Sequence, residues 1–177
     1  MCKTDSSAVS PTSISLVQVG NGALRKKHTM ADSDLCRAPS SRPRVLLADD
    51  NPAILERVFH LLDGKYEIVG TLGSGSAVLA FTKSQRPDLM VLDISLGDMS
   101  GIEVARQLRE SGYDGKIVFL TVHEDQDFVA AAFGAGASAY VVKSKLASDL
   151  YDAVSIALSG GMFVSANLGV RIGDSRF

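Results

Sequence analysis

Four short apolar runs each end in a residue type that can do chemistry. Arg44–Ala48 is followed by Asp49 and Asp50, Leu89–Leu92 by Asp93, Lys116–Leu120 by Thr121, and Ala139–Val142 by Lys143. Three carboxylates drawn together repel one another unless a cation or protons compensate. A hard divalent ion such as Mg²⁺ takes oxygen ligands and keeps several waters. Lys143 adds a mobile positive charge for an anionic group, and Thr121 a hydroxyl that can donate to a phosphoryl oxygen. Each residue alone has a plainer reading. An Asp at a strand end is commonly a cap or turn residue, Asp50 can help cap a helix, Thr121 is a good strand former and Lys143 an ordinary surface lysine. Acid pair, acid, hydroxyl and lysine at four strand ends together suit a phosphoryl group beside a metal, where catalysis is positioning and charge neutralisation.

These residues need a scaffold that gathers strand ends. The four runs and a fifth, Tyr66–Leu72, are largely continuous in apolar character, as strands buried on both faces are. Segments of helical period separate them. In the first, Ile54, Leu55, Val58, Leu61 and Leu62 share a face, with Asn51 as cap and Pro52 at the first position. The second spans about 76–85. The third opens on Ser100 and Glu103 in capping-box spacing. The fourth, about 125–133, ends at Gly134. The fifth aligns Leu146, Leu150, Val154, Ala157 and Leu158 and stops at Gly160 and Gly161.

Five β/α repeats within about 120 residues predict an α/β fold with a doubly wound parallel sheet. At this size a flavodoxin-like (βα)5 strand order, 2-1-3-4-5, is expected, and ligands bind where strand order reverses, beyond the carboxyl ends. Strand 2 ends in the neutral Leu72-Gly73, which fits an outer strand away from the site. Residues 1–43, rich in Ser, Thr, Asp and basic residues, read as a flexible N-terminal arm. Residues 44–164 form the domain and 165–177 a C-terminal tail. Met30 offers a second plausible start.

The net charge of −2 implies neither nucleic acid nor an anionic membrane as partner. No apolar run approaches the roughly 18 residues of a membrane span, so no membrane association is expected. Cys2 and Cys36 both lie in the arm and make no disulfide framework, which fits a reducing, cytoplasmic setting.

The segments VLLADDN, LMVLDISLGDMSGIEVARQLR, IVFLTVHED and GAGASAYVVKS resemble those of bacterial response-regulator receiver domains, over residues 44 to about 164. The run ALSGGMFVS is similar to the region that links receiver and DNA-binding domains in LuxR-type regulators. The resemblance implies a phosphoacceptor signalling domain of a two-component system, one that assists its own phosphorylation and dephosphorylation but is not a turnover enzyme. Asp93 would be the nucleophile toward a phosphohistidine of a sensor histidine kinase or phosphotransfer protein, or toward a small phosphodonor. Asp50 and Asp93 would bind Mg²⁺ directly, Asp49 through a metal-bound water, and the backbone carbonyl of Ser95 would complete the ligands. Lys143 would pair with the acyl phosphate, Thr121 would move to bond it, and Tyr140 would change rotamer. Ser95 and His123 occupy the two positions that tune hydrolysis in this family. Plainer readings stand beside these: Tyr140 as a half-buried strand aromatic and His123 as an exposed loop histidine.

Two residues depart from the family pattern. Gly97 stands where proline is usual, which predicts a more mobile loop. Ser144 follows Lys143 where many receivers have proline, and a cis bond there would cost about 2.5–4 kcal/mol, so the bond is trans or the fold enforces strain. The readout is expected at the face of helix 4, strand 5 and helix 5, which in this family forms homodimers or meets an output partner. The residues after Leu158 are too few for a helix-turn-helix domain, so specific DNA binding by this chain alone is not expected. A free-standing receiver, a piece of a longer regulator and a natural truncation all fit.

Three rival readings follow from the same residues. A phosphorylation-independent, receiver-like adaptor ranks second. An aspartyl phosphohydrolase commonly has a second Asp two residues after the nucleophile, where this chain has Ser95. A nucleotide-binding reading of Gly73-Ser74-Gly75 lacks the third glycine and a following lysine.

Overall fold

The computed structural model describes residues 42–168. The expected flexible arm and most of the expected tail lie outside the described residues. The strands of the main sheet are β1 (Arg44–Ala48), β2 (Glu67–Leu72), β3 (Leu89–Leu92), β4 (Lys116–Thr121), β5 (Ala139–Val142) and β6 (Phe163–Val164). The helices are α1 (Pro52–Leu62), α2 (Gly75–Gln85), α3 (Gly101–Glu110), α4 (Gln126–Gly134) and α5 (Leu146–Leu158). The strand order is β2-β1-β3-β4-β5-β6, all pairs parallel. The expected order 2-1-3-4-5 is therefore present, with one added strand outside β5. Among the described residues no helix is long and apolar enough to cross a membrane.

Every residue of β3 and β5 is buried. Successive side chains point to opposite faces of a strand, so Met90 and Leu92 enter one core and Leu89 and Val91 the other. Val58 and Leu62 of α1 pack with Leu146, Leu150 and Val154 of α5 on one face. Val78, Val104, Leu108, Val129 and Ala132 from α2, α3 and α4 cover the opposite face. Truncating one such leucine to alanine costs about 2–5 kcal/mol.

The helix ends follow local chemistry, with some differences from expectation. Asn51 caps α1, its side chain accepting from Ala53 N at 3.0 Å, and Pro52 sits at the first position. Ser100 caps α3 through Ile102 N, but the reciprocal half of the capping box is replaced. Glu103 instead accepts from Gln107 at 2.9 Å and pairs with Arg106. The fourth helix ends at Gly134, as expected. The left-handed turn falls on Gly136, at φ 88°. Gly160, at φ 84°, ends α5 as expected.

Two short features were not foreseen. Ser95–Leu96 and Met99–Ser100 form a small antiparallel hairpin. Its turn holds Gly97 and Asp98, and the Asp98 carboxylate accepts from Gly75 N at 2.7 Å and Ser76 N at 2.9 Å. Those amides open α2, so the loop expected to be mobile is tied to a helix N-terminus. The second feature is β6, which covers the outer edge of β5. No peptide bond among the described residues is cis, so the bond after Lys143 is trans.

Candidate functional site

Parallel register gathers the strand-end residues. Ala48 lies opposite Leu92, so Asp49 and Asp93 leave adjacent strands side by side. Thr121 lies opposite Val142, which places Lys143 one residue beyond. Backbone bonds hold the ends of β1 and β3: Asp49 N donates to Leu72 O at 3.0 Å and Asp93 N to Ala48 O at 2.8 Å.

The Lys143 ammonium stands 2.7 Å from Asp93 Oδ2 and 2.8 Å from Asp49 Oδ2. It donates a hydrogen bond to Asp93, whereas its contact with Asp49 Oδ2 is an ion pair without hydrogen-bond alignment. The other Asp49 oxygen accepts from Asn51 N at 2.9 Å. Asp49 and Asp93 are buried and Asp50 is exposed. Burial pushes the Asp49 carboxyl above its ordinary value, against the pull of Lys143. For Lys143 burial works to lower the value, but the close Asp49 and Asp93 carboxylates outweigh it and raise the ammonium above its ordinary value.

One carboxylate oxygen from each of Asp49, Asp50 and Asp93 falls within 4.8 Å of the others. Asp93 Oδ1 is buried and has no hydrogen-bond partner among the described residues. An unpaired buried carboxylate oxygen is costly, and a hard cation satisfies it. The donor set therefore fits Mg²⁺: all oxygen, two members buried, one open to solvent.

Thr121 and Tyr140 are fully buried, so Tyr140 is not the half-buried aromatic of the plainer reading. Both hold the turn after β4. Thr121 Oγ1 accepts from His123 N at 3.3 Å, and the Tyr140 hydroxyl donates to His123 O at 2.9 Å. Burial pushes the Tyr140 hydroxyl well above its ordinary value, with Asp125 and Asp93 adding to the effect. The His123 ring stacks on Phe128 at 4.1 Å between centroids, and its Nε2 lies 3.2 Å from Ser95 Oγ. His123 is half-buried. The two residues singled out for tuning hydrolysis thus touch across the mouth of the site.

The side chains singled out in the sequence fall at or just beyond the carboxyl ends of β1, β3, β4 and β5, except Tyr140, the second residue of β5, which reaches the site's loop through its hydroxyl. Sequence reasoning missed three residues that support them. Asp98 anchors the loop after β3. Gly101 has no room for a side chain, because a Cβ there would collide with the Asp93 carbonyl oxygen. Phe128 braces His123. Only Gly101 left a signal, a glycine at the start of an otherwise regular helix.

Comparison with known proteins agrees with this geometry. Residues 45–155 match the response regulator receiver domain. The chain is 32% identical over 119 residues to the uncharacterized transcriptional regulatory protein YxjL of Bacillus subtilis, covering 66% of this chain and 55% of that protein. It is 32% identical over 126 residues to the nitrate/nitrite response regulator protein NarL of Escherichia coli, covering 70% and 58%. Among solved structures it is similar to a LuxR-family two-component response regulator from Aurantimonas, with TM-score 0.69 and 29% identity over 72% of this chain and 92% of that one. The chain spans little more than half the length of these two curated relatives. By the match across residues 45–155 and by these likenesses, the chain belongs to the response regulator receiver domain family, whose general function is phosphorylation-dependent switching in two-component signalling.

Proposed function

We propose that Asp93 is the phosphoacceptor of this chain, that Asp49, Asp50, Asp93 and the backbone carbonyl of Ser95 hold Mg²⁺ beside it, and that the resulting switch acts through β5. Receiver domains generally bind Mg²⁺. The observation that carries the reading is the Asp93 carboxylate itself. It is buried, with Oδ2 fixed at 2.7 Å by Lys143 and Oδ1 without a hydrogen-bond partner among the described residues.

In the step proposed, an Asp93 carboxylate oxygen attacks the phosphorus of a phosphohistidine on a sensor kinase or phosphotransfer protein, or of acetyl phosphate. The new P–O bond forms as the P–N or P–O bond of the donor breaks. The electron pair leaves with the imidazole, which takes a proton, or with acetate. Bound Mg²⁺ supplies neutralisation of the phosphoryl oxygens. Lys143 exchanges a carboxylate for a phosphoryl oxygen as its partner. Thr121 turns its hydroxyl toward the new group, which withdraws the acceptor from His123 N, and Tyr140 follows the loop. Ser95 and His123 stand at the mouth and set the rate at which water reaches the acyl phosphate. In this way the chain assists both its own phosphorylation and its dephosphorylation.

The added charge biases a two-state equilibrium of the β4–α4 loop and β5. An output partner or a second copy would read it at the α4, β5 and α5 face, in the cytoplasm. Incubation with Mg²⁺ and acetyl phosphate should add the mass of one phosphoryl group, sensitive to hydroxylamine, and Asp93→Asn should abolish it. An unchanged mass, or an adduct that persists in Asp93→Asn, refutes the proposal.

A further inference from the structure

The segment after α5 is attached to the sheet by three different kinds of contact. Phe163 N donates to Ser138 O at 3.2 Å and Ser165 N to Tyr140 O at 3.0 Å, which makes β6 a parallel neighbour of β5. Ser165 is buried, and its hydroxyl donates to Asp149 Oδ2 of α5 at 2.7 Å while accepting from Val142 N at 3.3 Å. Leu168 is buried in the core cluster that contains Tyr140, Val142 and Val129. A two-residue strand is weak alone. A hydrogen bond to a carboxylate and an apolar plug give it two further anchors.

The same contacts reach the switch. Tyr140 holds the segment through its carbonyl and the β4–α4 loop through its hydroxyl. Val142 donates to Ser165 and directly precedes Lys143, which grips Asp93. A displacement of β5 at either residue therefore changes a bond to the segment.

We propose that residues 163–168 are a strap that closes the edge of β5 in cis and is released when Asp93 is phosphorylated, which frees that edge. The release rests on the reading of Asp93 as phosphoacceptor. The occupancy of the edge rests on the contacts alone.

The test uses the full chain with Mg²⁺, with and without acetyl phosphate. Amide hydrogen exchange is read at Val142, Phe163 and Ser165, and the adduct by intact mass in the same samples. Protection of the three amides should fall by about tenfold or more as the adduct accumulates. An adduct with unchanged protection overturns the release and leaves the phosphoacceptor reading standing. A missing adduct overturns both that reading and the release that rests on it. A second arm tests the occupancy without phosphodonor. Ser165→Pro removes the N–H and the hydroxyl together, and Leu168→Asp removes the plug while leaving the Ser165 contacts in sequence. Both should expose the Val142 amide to exchange. Val142 protection equal to the parent in both variants overturns the strap.

Discussion

Replacing Lys143 by methionine keeps the aliphatic reach of the side chain and removes its charge. The ammonium lies 2.7 and 2.8 Å from carboxylates whose side chains are 3% and 4% exposed. At those distances each pair attracts by about 6 kcal/mol at an effective dielectric of about 20. The cost of desolvating the ammonium offsets part of that gain. Removing one partner of a buried pair costs about 3–5 kcal/mol, and about 3 is the expected loss here because the exposed Asp50 keeps the site open to water. The loss should depend on pH. Burial already holds Asp49 above its ordinary 3.8, and Lys143 pulls it down, so the variant raises it further. A carboxyl raised in the folded state binds more protons folded than unfolded. Its stabilisation is complete below the unfolded value and is lost as pH rises through the folded value. The deficit of Lys143→Met should therefore shrink as pH falls from neutral toward the ordinary carboxylate value. Urea unfolding followed by far-UV circular dichroism at both ends of that range measures it. Mg²⁺ should stabilise the variant more than the parent, since the ammonium no longer competes for the carboxylates. A deficit below about 1 kcal/mol at neutral pH, or one equal at both ends, refutes the electrostatic account.

Gly101→Ala should lower stability by about 3 kcal/mol or more and slow phosphorylation, because the new methyl collides with backbone at Asp93 rather than with a movable side chain; chemical denaturation and intact mass check both. His123→Ala should change the dephosphorylation rate while phosphorylation persists, since the ring touches Ser95 and Phe128 but not the ammonium pair; an unchanged phosphoryl lifetime counts against it. The Asp98 carboxyl is held down to about 2, first by the Ser76 amide and then by its other bonds at the start of α2. Its stabilising contribution is present above the ordinary carboxylate value and disappears as pH falls from about 4 to about 2, so Asp98→Asn should flatten the acid limb of the stability curve over that window.

The sheet was legible because β3, β5 and all of β1 beyond Arg44 are unbroken apolar runs with charged residues immediately after them. Burial on both faces permits no polar interruption, so polarity resumes where each strand ends. Asp49, Asp93 and Lys143 stood out for the same reason, since they are the first polar residues beyond those runs. The hairpin at 95–100 was not, because two-residue strands carry no periodicity and Asp98 acts on a helix start more than twenty residues earlier in the chain. β6 escaped notice because Gly160 and Gly161 read correctly as a helix stop, and nothing local indicates that Phe163 then lies beside Ala139. The half-formed capping box has a similar origin. Glu103 has competing partners one turn along at Arg106 and Gln107, and spacing alone does not rank them.

The alternation of β3 between two apolar cores bears on how the chain avoids misfolding. A strand with one wet face is penalised for slipping by one residue, because its apolar side is turned to water. Leu89, Met90, Val91 and Leu92 are all apolar, so such a slip would only exchange one oily environment for the other. What distinguishes the correct alignment is the ionisable residue at the strand's end, which a slip would drag into hydrocarbon away from Lys143. The acids at the mouth thus also serve as alignment marks. Replacing Asp93 by an apolar residue would raise the population of misaligned folding intermediates even where the final stability improved.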